Sequence, residues 1–224
     1  MVAVKICGVT RVDDALACAA VGVEWIGLNF YPNSPRCIRP EEAAAIIGAL
    51  PCSVTAVGVF VDRPAGEVAD LADQLGLSVV QLHGHEPPED LVLLRKLQVV
   101  RAFRLKAASD WSGVSDYLAR AQAIGRLPDA ILIDAYVAGQ SGGTGATVAS
   151  DVLDCIPPLP RLILAGGLTP ENVAAKVALV QPWMVDVASG VESSPGRKDP
   201  AKVAAFVKAA RSSGAERRIL LEGQ

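Results

Sequence analysis

Short runs of β-branched and other apolar residues recur along the chain. Each run is followed by a turn with glycine or proline and then by a stretch rich in alanine and leucine. Most runs are continuously apolar rather than alternating, which is typical of strands whose sheet is covered on both faces. The pattern predicts eight strands, at residues 2–6, 25–29, 55–61, 78–83, 99–105, 130–134, 161–165 and 183–187.

The segments between these strands predict helices, because polar caps or a proline in the first turn mark their starts. The clearest are residues 13–20 after Thr10, 41–49 after Pro40 and 170–179 after Thr169. A last amphipathic stretch covers residues 198–212.

The order of these elements predicts an α/β fold, a single (β/α)₈ TIM barrel, since strand starts recur roughly every 25 residues. The alternative is a doubly wound open sheet, which usually carries a GxGxxG fingerprint after its first strand. Here the first strand leads into Cys7-Gly-Val-Thr, so the barrel is favoured. No low-complexity linker divides the chain. We expect a barrel domain over residues 1–213 and a peripheral tail over 214–224.

Composition removes several classes of protein from consideration. The 224 residues are 51% hydrophobic and carry a net charge of −3, which excludes intrinsic disorder. With 21 basic against 24 acidic residues, no positive excess exists to neutralise nucleic acid, although a small anionic substrate could still be held by local charge. No apolar run reaches the roughly 18 residues of a membrane span, and the start does not resemble a secretory signal.

The cysteines point to a reducing compartment rather than to disulfides or a metal. They are odd in number and scattered, without a CxxC pair. Free thiols and a cytoplasmic location are therefore expected. The five residues are Cys7, Cys18, Cys37, Cys52 and Cys155.

Four residues at strand ends are candidates for chemistry, because active sites of TIM barrels lie at the C-terminal ends of the strands. They are Cys7, Asp62, Asp134 and Asp186. Lys5 shares a strand face with Cys7, and a lysine is poorly placed against the helix layer, so both are predicted to point into the barrel. An ammonium about 6–7 Å from the sulfur is expected to lower the thiol pKa. The alternative for Cys7 is a small buried hydrophobe.

The two later aspartates differ in depth. Asp134 ends an apolar strand, where a carboxylate must be paired, solvated or used, and partial burial would favour the protonated form that an acid needs. Its alternative is a turn residue or a partner of Lys5. Asp186 lies deeper within its strand and is interpreted as a structural partner of Lys5.

Three glycine-rich turns follow strands six, seven and eight, at Gly142-Gly143-Thr144-Gly145, Gly166-Gly167 and Ser189-Gly190. Glycine lets backbone N–H groups approach an anion, and TIM barrels often bind phosphate at the loops after strands seven and eight. The turns therefore predict a phosphate site, with ordinary turns as the alternative.

Two further polar residues lie in predicted loops. Arg36 follows strand two in a loop stiffened by Pro32 and Pro35, where its guanidinium could bind a carboxylate; the alternative is a solvated surface arginine. His83 and His85 are two residues apart with no third ligand at a suitable spacing, so no metal is expected.

Read together and in order, ten segments resemble the phosphoribosylanthranilate isomerase family, barrel enzymes of tryptophan biosynthesis. The similarity covers nearly the whole chain. The segments are residues 5–10, 27–36, 57–62, 80–84, 132–134, 142–145, 164–172, 185–192, 195–196 and 198–199. One departure follows the turn at 142–145, where this chain has Ala146 and the family usually has lysine.

The resemblance implies an Amadori rearrangement of N-(5-phosphoribosyl)anthranilate to the corresponding 1-amino-1-deoxyribulose phosphate, without a cofactor. It implies that Asp134 is the general acid and Cys7 the general base, with Lys5, His83 and Asp186 in support. Arg36 is expected to hold the anthranilate carboxylate. The phosphate is expected at the glycine-rich turns, through Gly143, Thr144, Gly145, Gly166, Gly167, Ser189 and Gly190.

Two other functions remain open. One is another phosphosugar isomerase, epimerase or synthase barrel, such as the histidine-pathway aminoaldose isomerase with its pair of aspartates; Cys7 argues against it. The other is a non-catalytic barrel that binds a phosphate ligand, which would need neither Cys7 nor Asp134. Oligomeric state is not readable from the sequence.

Overall fold

Eight parallel strands form a closed barrel in chain order, as the sequence predicts. The computed structural model describes residues 1–134 and 161–212. Gly143, Thr144, Gly145, Cys155 and the tail 214–224 lie outside these ranges. The strands are β1 Ala3–Cys7, β2 Trp25–Asn29, β3 Thr55–Phe60, β4 Val79–Leu82, β5 Gln98–Arg104, β6 Ala130–Asp134, β7 Leu162–Ala165 and β8 Met184–Val187.

Helices follow the strands on the outside of the barrel. Within the described ranges they are α1 Val12–Ala20, α2 Pro40–Ala49, α3 Ala65–Leu75, α4 Asp90–Leu93, α5 Trp111–Ala123, α6 Val173–Val180 and α7 Pro200–Ser212. None of the helices in residues 1–134 and 161–212 has the length and apolar character needed to cross a membrane.

The predicted strand bounds all lie within one residue of those observed, whereas two helices start later than predicted. Before α6, the Asn172 side chain accepts a hydrogen bond from the Thr169 N–H and closes a turn. Before α7, Arg197–Lys198 (β10) pairs antiparallel with Glu192–Ser194 (β9) in a small hairpin. The helical pattern of the sequence does not reveal either local structure.

Alternation along each strand divides the core into two layers. Outward residues such as Val4, Ile6 and Ile133 are fully buried in a core layer between the strands and the helices. Phe206 on α7 belongs to the same layer. Inward residues fill the barrel interior with small and branched side chains. The interior cluster comprises Val57, Val79, Val100, Ala102, Ala130, Leu132, Ile163, Ala165 and Met184.

Barrel closure joins the first strand to the last. β1 pairs with β2 on one side and with β8 on the other, and the latter register places Lys5 opposite Asp186. The inward-facing positions of the strands are therefore apolar in the lower barrel and polar toward the C-terminal mouth. The polar ones include Lys5, Cys7 and Asp134.

We expect Leu132→Ala to lower the free energy of unfolding by about 2–5 kcal/mol, because Leu132 is fully buried in the barrel interior and its loss leaves a cavity. Urea titration followed by circular dichroism measures the change. The matched control is Leu93→Ala on α4, since Leu93 is 65% exposed and its truncation should change stability by less than about 0.5 kcal/mol. A similar small change at Leu132 would show that the interior closes around the deletion.

Candidate active site

The C-terminal mouth of the barrel opens into a cleft of about 230 Å³. Its lining gathers many of the residues singled out in the sequence, from strands far apart along the chain. They are Cys7, His83, Asp134, Gly166, Gly167, Asp186, Ser189 and Gly190. Lys5 lies below the cleft. Arg36 belongs to the loop after β2, and its side chain lies beside the end of β1. Gly143, Thr144 and Gly145 fall outside the described residues.

Lys5 forms an ion pair with Asp186 at the base of this cleft. The lysine is fully buried, and its Nζ lies 3.0 Å from Asp186 Oδ2. Burial alone would lower the pKa of Lys5, but the charges of Asp186 and Cys7 outweigh burial and raise it. The predicted pairing of Asp186 with Lys5 is therefore confirmed.

The expectation of a lowered pKa for Cys7 is wrong. Burial raises the pKa of the thiol above its ordinary value of 9.0, against the opposing attraction of Lys5. The negative charge of Asp186 also raises the pKa of Cys7, because it repels the thiolate. The Lys5 ammonium, which favours thiolate, is paired with that same carboxylate. Cys7 therefore rests as a thiol, partly exposed at the mouth.

Gly27 makes room for this arrangement. The β1–β2 register sets Cys7 opposite Gly27. A Cβ placed on Gly27 would lie 2.7 Å from Cys7 Sγ and 3.1 Å from Lys5 Nζ. Any side chain at this position would displace the thiol or the ammonium, so Gly27 is a site residue that sequence reasoning missed.

Asp134 ends β6 on the other side of the mouth, close to two basic groups. Its Oδ2 lies 3.8 Å from His83 Nε2 and 3.6 Å from Arg104 Nε. The Gln81 Nε2 is 2.9 Å from His83 Nδ1. With that amide donating to Nδ1, the imidazole proton lies on Nε2 and faces the carboxylate.

The loop that carries His83 is held from below by a buried ion pair. Arg101 Nη1 lies 3.3 Å from Glu86 Oε2, and Arg101 Nη2 donates to the Gly84 carbonyl. Glu86 in turn accepts the N–H groups of Gly84 and Asp62. Asp62, a strand-end candidate in the sequence, accepts the His85 N–H and does not line the cleft.

The turns after β7 and β8 have the backbone shape that their glycines predict. Gly166 and Gly167 have φ values of +93° and +61°, a region that favours glycine. A Cβ on Gly190 would come within 2.0 Å of the Leu168 carbonyl oxygen, so the two turns can touch only through a glycine. Turns of this kind form concave sites for anions, and phosphate binding stays a prediction.

Arg36 is held in place rather than solvated at the surface. Its Nε and Nη2 donate to Glu192 Oε1 and Oε2 at 2.8 and 2.6 Å. The arginine stem crosses Gly8, which has a φ of +70° and where a Cβ would lie 2.3 Å from Arg36 Cδ. The guanidinium therefore stands beside the end of β1, next to Cys7.

Glu192 and Lys198 are further site residues for which sequence reasoning assigned no role. The β9–β10 hairpin pairs them, and Lys198 Nζ donates to Glu192 Oε1 at 2.8 Å and to the Cys7 carbonyl at 2.6 Å. Both side chains are buried. Their contact depends on the hairpin and on barrel closure, which the spacing of the two residues does not indicate.

Comparison with protein-family models finds a match over residues 4–209, to the family described as N-(5'-phosphoribosyl)anthranilate (PRA) isomerase. Curated proteins with that name include one from Geobacter sulfurreducens, 44% identical over 94% of this chain and 99% of its own length. Another, from Pseudomonas paraeruginosa, is 46% identical over 95% of this chain and 97% of its own length.

Solved structures give the same result. Phosphoribosyl anthranilate isomerase from Thermotoga maritima is 38% identical with a TM-score of 0.83, covering 94% of this chain and 99% of that one. A second isomerase structure, in complex with reduced 1-(o-carboxyphenylamino)-1-deoxyribulose 5-phosphate, has a TM-score of 0.79 at 35% identity over the same shares.

We expect Lys5→Met to raise the pKa of Cys7 further, because it removes the ammonium and leaves the Asp186 charge below the sulfur. The rate of Cys7 alkylation by iodoacetamide near pH 8, followed by mass spectrometry of the Cys7 peptide, should fall by at least about threefold.

Two further proteins make this measurement specific. Lys208→Met, at an exposed lysine of α7, should alkylate like the unmodified protein. The fall should be smaller in Lys5→Met/Asp186→Asn, where both charges are absent. An unchanged or faster reaction of Cys7 in Lys5→Met would show that the ammonium does not favour thiolate.

Proposed function

This chain belongs to the N-(5'-phosphoribosyl)anthranilate isomerase family, and we propose that Asp134 and Cys7 carry out the two proton transfers of its reaction. The enzyme converts N-(5'-phosphoribosyl)anthranilate to 1-(2-carboxyphenylamino)-1-deoxyribulose 5-phosphate in tryptophan biosynthesis. The observation that carries the assignment is that an acid and a thiol face one cleft from β6 and β1, with glycine turns beside them.

The first transfer opens the sugar ring. Asp134, in its protonated form, donates to the furanose oxygen as the C1–O bond breaks, and the anthranilate nitrogen supplies the electron pair that forms an iminium ion. A positioned acid of this kind contributes typically 10²–10⁴-fold to the rate. His83 Nε2 lies 3.8 Å from Asp134 Oδ2, and the Lys5–Asp186 ion pair lies below Cys7, so these residues are proposed to support the two reacting groups.

The second transfer makes the ketone. Cys7 thiolate removes the C2 proton, and the C2–H electrons form the enolamine as the iminium nitrogen is neutralised. The enolamine then takes up a proton at C1 while its C2 hydroxyl loses one. Since hydrogen moves within one molecule, the proposal includes no metal or electron carrier.

The raised pKa of Cys7 fits this order of events. Burial disfavours the Cys7 thiolate, but a cationic iminium in the cleft would favour it. The thiol would then release its proton to solvent, so thiolate would become available when ring opening has created the positive charge beside it.

The two ends of the substrate are proposed to bind at separate places. The phosphate lies at Gly166, Gly167, Ser189 and Gly190, with Gly143, Thr144 and Gly145 of the preceding loop. The anthranilate carboxylate lies against Arg36 at the end of β1. A cytoplasmic location is also proposed, since the described cysteines carry free thiols, as suits a reducing compartment.

We expect Asp134→Asn and Cys7→Ser each to lower turnover by about 10²–10⁴-fold, while both variants still bind reduced product. Loss of the substrate's anthranilate fluorescence measures turnover. The residual kcat/KM of Asp134→Asn should rise with pH through the neutral range, because kcat/KM reports the free enzyme, in which burial raises the pKa of Cys7 and only the thiolate fraction reacts.

Matched controls are Asp73→Asn and Cys52→Ser, since both residues are exposed and distant from the cleft. A residual kcat/KM of Asp134→Asn that is flat from about pH 6 to 8 would remove Cys7 as the titrating base. Normal turnover of Asp134→Asn together with a folded but inactive Asp186→Asn would move the acid to β8.

Arg36→Ala should weaken binding of the reduced product by about 10- to 100-fold, since it removes a hydrogen-bonded charge contact worth about 1.5–3 kcal/mol. Inorganic phosphate should bind as before. Calorimetry measures both affinities. Arg39→Ala is the control, because Arg39 lies on the same loop with its side chain 75% exposed. Loss of phosphate binding with unchanged product binding would reverse the proposed orientation of the substrate.

A further inference from the structure

Three charged side chains form a nearly dry chain from β10 to the mouth of the barrel. Lys198 and Glu192 are only 3% and 8% exposed, and Arg36 reaches Glu192 with a side chain that is 21% exposed. Glu192 Oε1 accepts from both Lys198 Nζ and Arg36 Nε, so one carboxylate lies between two cations.

The net charge of the Arg36–Glu192 pair explains why the third group matters. An arginine bound through two N–H groups to a carboxylate is well oriented, but the pair has no net charge with which to attract a second carboxylate. Lys198 adds one positive charge at the far side of Glu192. The three groups together carry +1, and Arg36, the most exposed of them, lies beside the end of β1.

Lys198 itself is held in one position. Its Nζ donates to Glu192 Oε1, to the Cys7 carbonyl at 2.6 Å and to the Ala188 carbonyl at 3.3 Å, which uses all three of its donors. Its backbone N–H donates to buried Asp14 at 2.9 Å, and Arg11 lies 3.9 Å from that carboxylate.

Other charges nearby do not replace Lys198. Lys202 Nζ donates to the backbone carbonyl of Glu192 from the exposed side and does not reach its carboxylate. Lys5 is already paired with Asp186. Among the described residues, Arg36 Nη1 has no acceptor, so this end of the guanidinium is available to a ligand.

We propose that Lys198 is a positioning residue that takes up the charge of Glu192, so that Arg36 is both held and left electrostatically available to the carboxylate of the substrate. The inference rests on the proposed function, in which Arg36 binds that carboxylate. It adds a determinant of specificity that touches neither substrate nor reacting atoms.

The test compares two probes, reduced 1-(o-carboxyphenylamino)-1-deoxyribulose 5-phosphate and the same compound without its carboxylate. Their affinities are measured by calorimetry for the unmodified enzyme, Lys198→Met and Lys198→Met/Glu192→Gln, with circular dichroism to confirm folding. The readout is the ratio of the two affinities. Loss of packing or of the phosphate site would weaken both probes together and leave that ratio unchanged.

The unmodified enzyme should prefer the carboxylated probe by about tenfold or more. In Lys198→Met the ratio should fall to within about threefold of one, because Glu192 then neutralises Arg36 fully. In Lys198→Met/Glu192→Gln it should recover to within about threefold of the unmodified value, since the net charge is again +1. Lys202→Met, the matched control, should leave the ratio within about twofold of the unmodified value.

Each alternative result has a distinct meaning. A ratio unchanged in Lys198→Met, equal weakening of both probes, or a double variant that regains nothing would overturn the role of Lys198 while leaving Arg36 as the carboxylate site. A ratio near one in the unmodified enzyme would overturn the Arg36 assignment itself, and this inference with it. If Lys198→Met does not fold, Lys198→Gln takes its place, because it also removes the ammonium but keeps a polar donor beside Glu192; the same fall in the ratio is expected.

Discussion

Burial of Lys5 is the constraint on which the rest of the site depends. A fully buried ammonium is tolerated only with a partner, and that partner, Asp186, comes from the last strand of the barrel. The pair can form only when β1 and β8 meet in register, so closure of the sheet and neutralisation of the lysine occur together. Cys7 lies two residues beyond Lys5 on the same strand face, and the charges of both Lys5 and Asp186 act on its pKa.

The buried charges at the mouth are arranged as linked pairs rather than as single groups. Lys5 with Asp186 is neutral, whereas Arg36, Glu192 and Lys198 together keep one positive charge. Burial alone would raise the pKa of Glu192, but hydrogen bonds from Arg36 and Lys198 outweigh burial and lower it. The region around the thiol is thus dry and nearly neutral below, and positive to one side.

Much of the fold was predictable from sequence because its signals are local. Continuous apolar runs set every strand to within one residue, and strand alternation placed Lys5 and Cys7 on the inward face. The depth of Asp186 within its strand indicated a structural partner of Lys5, although Asp134 was a second candidate partner. The Arg36–Glu192–Lys198 contacts did not follow, because they depend on a hairpin that interrupts a helical pattern. The direction of the Cys7 pKa was missed because the depth of burial is a property of the closed barrel.

Glycines determine where the reacting groups can lie, and this connects the shape of the mouth to its chemistry. Gly27 admits the thiol and the ammonium, and Gly8 admits the arginine stem, each where a Cβ would collide. The thiol packs closely against Gly27, and desolvation is the largest cause of its raised pKa. A thiol so placed stays largely protonated, and so cannot accept a proton, until a positive charge appears beside it. A raised thiol pKa therefore suits the proposed order, in which ring opening at Asp134 precedes proton removal at Cys7.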